Sequence, residues 1–82
     1  MRILIHHKGA FNVFSTILDS CHQEAFDEDE ARGMFAAAAV DRAILTGSSS
    51  DICTLEFVID SNAADDGARM SRRKFIHEFL TI

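Results

Sequence analysis

Asp27-Glu-Asp-Glu-Ala-Arg-Gly-Met-Phe-Ala-Ala-Ala-Ala-Val-Asp-Arg-Ala-Ile-Leu45 is the stretch on which the fold turns. Asp27 and Glu30 have the spacing of a capping box, in which each side chain reaches the other's free backbone N–H. Acidic residues crowd the first turn, where the helix dipole favours negative charge, and Gly47 follows the last apolar residue as a helix stop. The spacing therefore predicts one long helix from Asp27 to Gly47. At about 100° per residue, Phe35, Ala36, Ala39, Val40, Ala43 and Ile44 form a broad apolar side. Met34, Ala38 and Leu45 form a second, interrupted by Asp41 and Arg42. Such a helix must be covered on two sides, by the rest of the domain or by a second copy.

Before this stretch, Arg2 to His7 reads as a strand with Ile3 and Ile5 on one side and Arg2, Leu4 and His6 on the other. Lys8-Gly9 is a turn. Phe11, Phe14, Leu18, Cys21 and Ala25 then recur at three- and four-residue steps, the pattern of an amphipathic helix over 10–25.

After it, Gly47-Ser-Ser-Ser-Asp51 reads as a flexible connection. Cys53, Leu55, Phe57 and Ile59 alternate with polar neighbours, which predicts a strand over 52–60. A loop over 61–67 offers Asp65 or Asp66 as a cap for a helix over 68–80, with Ala68, Arg72, Phe75, Ile76, Phe79 and Leu80 along its inner stripe. A strand is the rival reading of its last residues.

The expected architecture is one α+β domain over 1–82, in the order β-α-α-β-α, with a small sheet packed against three helices. Two strands make a weak sheet, and a third from Phe79-Leu-Thr-Ile82 or from another molecule would remove that weakness.

With 82 residues the core is modest. A 48% apolar composition with seven Phe permits collapse and argues against disorder. No run of 18 apolar residues suggests a membrane span, and Ile3-Leu-Ile5 is too short for the core of a signal peptide. Cys21 and Cys53 are too few for a disulfide scaffold, so a reducing cytoplasm is expected.

No motif assigns a chemistry. His6 and His7 alternate on a strand and make poor joint metal ligands, and neither CxxC nor HxxxH occurs. Cys21 and His22 are sequence neighbours and would project apart on a helix, which argues against a thiol nucleophile. The serine loop leads from a helix into a strand, the reverse of a phosphate-binding loop. No cofactor, metal or enzymatic activity is expected.

Charge is more informative. The net charge is −5, which disfavours direct nucleic-acid binding over a broad surface. Acids concentrate in Glu24, Asp27, Glu28, Asp29 and Glu30, and bases in Arg69, Arg72, Arg73 and Lys74. The dipole explains the first group and a solvated helix face the second, yet each also suits an oppositely charged partner. The two could also meet each other in an oligomer.

The expected function is a small, acidic, non-enzymatic interaction protein that binds another protein or complex. A phage- or mobile-element-type inhibitor of a nucleic-acid-handling complex fits the size and character, and homodimerisation fits the two-sided helix. The alternative is a small enzyme or small-molecule-binding protein with His6, His7 or His77 at a subunit interface.

Overall fold

The computed structural model describes residues 1–61 and 70–82. The chain is α+β, a three-stranded antiparallel sheet followed by four helices. Strands β1 (Arg2–His7), β2 (Ala10–Ser15) and β3 (Ser20–Cys21) lie in that order. Helices α1 (Glu28–Met34), α2 (Ala37–Thr46), α3 (Leu55–Ser61) and α4 (Arg72–Phe79) complete the described chain.

The β1–β2 hairpin replaces the helix expected over 10–25. Lys8 and Gly9 both have positive φ, 47° and 84°, the conformation of a two-residue type I′ turn. Its twist matches that of paired strands, so the chain folds straight back, with Ile3 opposite Phe14 and Leu4 opposite Val13. Helical spacing misleads here because both faces of β2 are buried, so no alternation of apolar and polar residues marks the strand. Leu18, placed on the apolar stripe of that helix, instead stands 72% exposed in the turn before β3.

Side chains of the hairpin divide between two cores. Ile3, Ile5 and Phe14 pack with Leu55, Val58 and Ile59 of α3 and with Phe75 and Leu80. Leu4, Phe11 and Val13 pack with Phe26, Ala31 of α1, and Val40 and Ala43 of α2. Helices thus cover both faces of the sheet, rather than one.

Both edges of the hairpin are also occupied. Gly47 to Ser49 runs along β1: His6 N–H donates to Gly47 O at 2.9 Å, Ser49 N–H to Leu4 O at 2.9 Å, and Leu4 N–H to Ser49 Oγ at 3.0 Å. The serine loop is therefore a fixed edge cover, in contrast to the flexible connection expected. Ser48, 1% exposed, donates from Oγ to Cys53 O and accepts from Ser50 N–H. On the other edge, β3 supplies the third strand, and Phe11 exchanges both backbone bonds with Phe26 at 2.9 Å. The C-terminal Phe79-Leu-Thr-Ile82, the segment expected to fill that role, ends α4 and follows it.

The expected long helix is divided at Phe35 and Ala36, both extended. Its ends fall where the sequence indicates, with half of the expected capping box: Asp27 Oδ1 accepts from Glu30 N–H at 2.9 Å without the reciprocal bond from Asp27 N–H to the Glu30 side chain, and Gly47 sits at φ 96° with its N–H on Ala43 O. A single helix of that length would be roughly 28 Å long. The break allows Ala31 and Ala43 to reach the same face of a short sheet, while Arg32 ties the two pieces by bonding Glu28 and Asp41.

Residues 52–60 form no strand. Leu55, Val58 and Ile59 are buried at helical spacing, Thr54 Oγ1 accepts from Phe57 N–H at 3.1 Å, and Phe57 faces partly outward. Both edges of the hairpin are already taken. The C-terminal helix is present and begins at Arg72, capped by Ser71 Oγ on Lys74 N–H at 3.2 Å. The alternative cap residues Asp65 and Asp66 lie outside the described residues.

These packing arrangements separate two substitutions on α2. Ala43→Glu places a carboxylate in a fully buried site and is expected to destabilise by about 3 kcal/mol or more, whereas Leu45→Glu, at an 85% exposed position, changes stability by less than about 0.5 kcal/mol. Urea midpoints of the two variants check this; equal midpoints would contradict the assigned helix face.

Candidate functional site: a basic double cleft

The eight Lys and Arg residues sort by partner. Arg32 bonds Glu28 and Asp41, Arg42 pairs with Asp51, and Arg72 bonds Glu56 at 2.6 Å. Arg2 lies over the Phe35 ring, 5.4 Å from its centroid. Arg69 lies outside the described residues. Lys8, Arg73 and Lys74 remain, each without a carboxylate or ring partner among the described residues.

All three line adjoining clefts. One, about 440 Å³, is walled by Ser71, Arg73, Lys74, Ile76, His77 and Thr81. The other, about 380 Å³, lies between the hairpin turn at His7, Lys8 and Gly9 and the end of α4 at Ile76, Leu80 and Thr81. Ile76 and Thr81 belong to both. The helix supplies one wall because Phe75 and Leu80 are anchored in the core, which turns Arg73, Lys74 and His77 outward. The type I′ turn supplies the other by projecting Lys8 from the tip of the hairpin.

Burial, together with Lys8 and Arg72, holds His7 below the ordinary histidine value, so its ring is neutral near pH 7. The local positive potential is thus felt by a group inside the cleft.

The acidic group is arranged differently. Asp27 is used as a cap and Glu28 is paired with Arg32. Asp29 and Glu30 are exposed in the first turn of α1, where the dipole accounts for them. Of the eight residues singled out from the sequence, Arg69 lies outside the described residues and the structure separates the other seven: Arg73 and Lys74 border a cleft, Arg72 is held by Glu56, and the acids stand at the start of α1. Lys8 was missed, because only the tertiary fold brings residue 8 beside α4.

Other chemistries find less support. Burial pushes the Cys21 thiol up to about 12, leaving almost no thiolate at neutral pH. Among the described residues no group of three His, Cys, Asp or Glu is placed to hold a metal ion, and no helix is long and apolar enough to cross a membrane. Comparison with protein-family models, curated proteins and solved structures gives no match.

His6 has a structural task beside the cleft. Its Nε2 accepts the Gly9 N–H at 2.9 Å, which requires the unprotonated nitrogen, and its ring packs 4.7 Å from that of Phe11. Burial and His7 lower its proton affinity, with Glu28 opposing. A lowered folded value means that the folded chain binds fewer protons than the unfolded one. This contribution to stability is therefore complete above 6.5 and is lost as pH falls through the lower folded value. Urea midpoints between pH 7.5 and 5 are expected to fall, and to fall less steeply in His6→Asn; a midpoint that rises on acidification would contradict the assignment.

Proposed function

We propose that this protein is a non-enzymatic interaction module that binds an anionic region of another protein through the outer face of α4. The observation that carries this reading is that Lys8, Arg73 and Lys74, the described cations left without a partner, border clefts that share two residues. Exposed ion pairs contribute little to folding, so cations left outside them cost the fold little and are available to a ligand. With a net charge of −5, long-range attraction to any polyanion is weak, so recognition rests on the local cations beside the clefts and suits a short anionic region.

A second reading takes a small anionic molecule where the clefts adjoin, because His77 lines one and His7 the other. The narrower idea of an inhibitor acting on a basic, nucleic-acid-handling complex needs Asp29 and Glu30 as the working surface instead.

Affinity capture on the full chain distinguishes these readings. The double variant Arg73→Glu, Lys74→Glu is expected to lose at least tenfold of its captured partner, with or without nuclease, while Asp29→Lys, Glu30→Lys retains it. The opposite pattern would transfer the function to the acidic turn. Partner loss on nuclease treatment would point to nucleic acid.

A further inference from the structure

The two clefts meet across Ile76 and Thr81, and their charges and floor are complementary along the line that joins them. Arg73, Ile76 and His77 stand at i, i+3 and i+4 on α4, one face of the helix, and Lys74 lies beside them on the same cleft. Lys8 stands at the far wall, on the hairpin turn. Between these cations the floor is apolar, formed by Ile76 and Leu80. Each cleft alone is at the small end of the range for ligand pockets, which runs from roughly 300 to 1,000 Å³. Together they make a shallow, open groove with cations on both sides.

We infer that this groove binds an extended acidic peptide segment carrying one apolar side chain, with its carboxylates on Lys8, Arg73 and Lys74 and its apolar residue on Ile76. The inference rests on the interaction reading above and names its ligand. Neither cleft is lined by Phe, so the walls offer only the small imidazoles of His7 and His77 in place of the larger aromatic platforms on which single-stranded nucleic acid stacks. Nor does the anion rely on the helix end: the Lys74 N–H is already bonded to Ser71 Oγ, and the Gly9 N–H to His6 Nε2. Side-chain cations carry the attraction.

Charge also sets where the segment stops. Beyond Thr81 and Ile82 a third cleft is walled by Glu24 and Glu78. The acidic part of the ligand therefore lies between the hairpin turn and the start of α4, and does not continue past the C-terminal residues. A carboxylate seated beside Lys8 also raises the proton affinity of His7.

The test uses a fluorescein-labelled dodecapeptide of alternating Glu and Asp with one central leucine, titrated with the full chain and followed by anisotropy. Binding should weaken at least tenfold in Arg73→Glu, Lys74→Glu and at least threefold in Lys8→Asn, a change that keeps a residue tolerant of the left-handed turn. Replacing the peptide's leucine by serine should cost about tenfold. On binding, the His7 imidazole shifts should titrate at higher pH. Binding that responds to Arg73 and Lys74 but ignores Lys8 and the leucine would overturn the groove and leave the interaction reading standing. Binding of a single-stranded DNA dodecamer or of pyrophosphate in place of the peptide would overturn the ligand class. Self-association in light scattering that the peptide competes away would make a second copy the occupant. Absence of binding by every probe would overturn the groove, while capture of a partner through α4 would separately preserve the interaction reading.

Discussion

The carboxamide of Asn12 is the polar contact on which the arrangement of the rest depends. It is fully buried in the middle of β2, on the face that carries Ile3, Ile5 and Phe14. Between the pairing of Phe14 with Cys21 and that of Phe11 with Phe26, the returning chain has two more residues than β2. A backbone ladder cannot continue through that excess. The Asn12 side chain replaces it: Oδ1 accepts from His22 N–H at 3.0 Å, and Nδ2 donates to His22 O at 3.0 Å. Nδ2 also donates to Phe79 O at 2.9 Å, a carbonyl in the last turn of α4 that has no partner within the helix. One side chain thus joins the hairpin, the returning segment and the C-terminal helix, and no buried side-chain polar atom among the described residues lacks a partner.

That bond has a consequence for the cleft. The hairpin turn and α4 are far apart in sequence, and only packing sets the distance between Lys8 and Arg73. Phe75 and Leu80 hold the helix by non-directional apolar contact, which tolerates sliding. The Asn12–Phe79 hydrogen bond is directional and fixes the register of α4 against β2. The basic groove therefore depends on a buried amide on the other side of the helix from its ligand.

Local chemistry was legible in the sequence where it stood alone. Asp27 as a cap and Gly47 as a stop follow from backbone requirements that need no tertiary partner, and Gly47 is further confined by Leu55, which a Cβ would approach to 3.3 Å. Periodicity failed where burial was two-sided. Phe11, Val13 and Phe14 are all buried because helices cover both faces, so the strand lost its alternation and resembled a helix stripe. In α3, Leu55 and Ile59 satisfy a period of 2 and a spacing of four equally, and the exposed Phe57 could not be told from a buried one. Asn12 carried no signal, since a polar residue among apolar ones reads as a surface position. The α+β class survived these substitutions because a hairpin replaced one helix and a helix replaced one strand. For the site, clustering marked Arg73 and Lys74, but their distinction from Arg72 required Glu56, and Lys8 required the fold.

The most direct measurement is backbone amide hydrogen exchange on Asn12→Ala, compared with the natural sequence under native conditions. If the amide joins three elements, protection should fall together at Val13 and His22, whose N–H groups both donate to its oxygen, at Phe26 and through the last turn of α4, by about a hundredfold, while His6 and Ser49, bonded along the far edge of β1, keep more of theirs. A loss confined to His22, with α4 protected as before, would contradict the account.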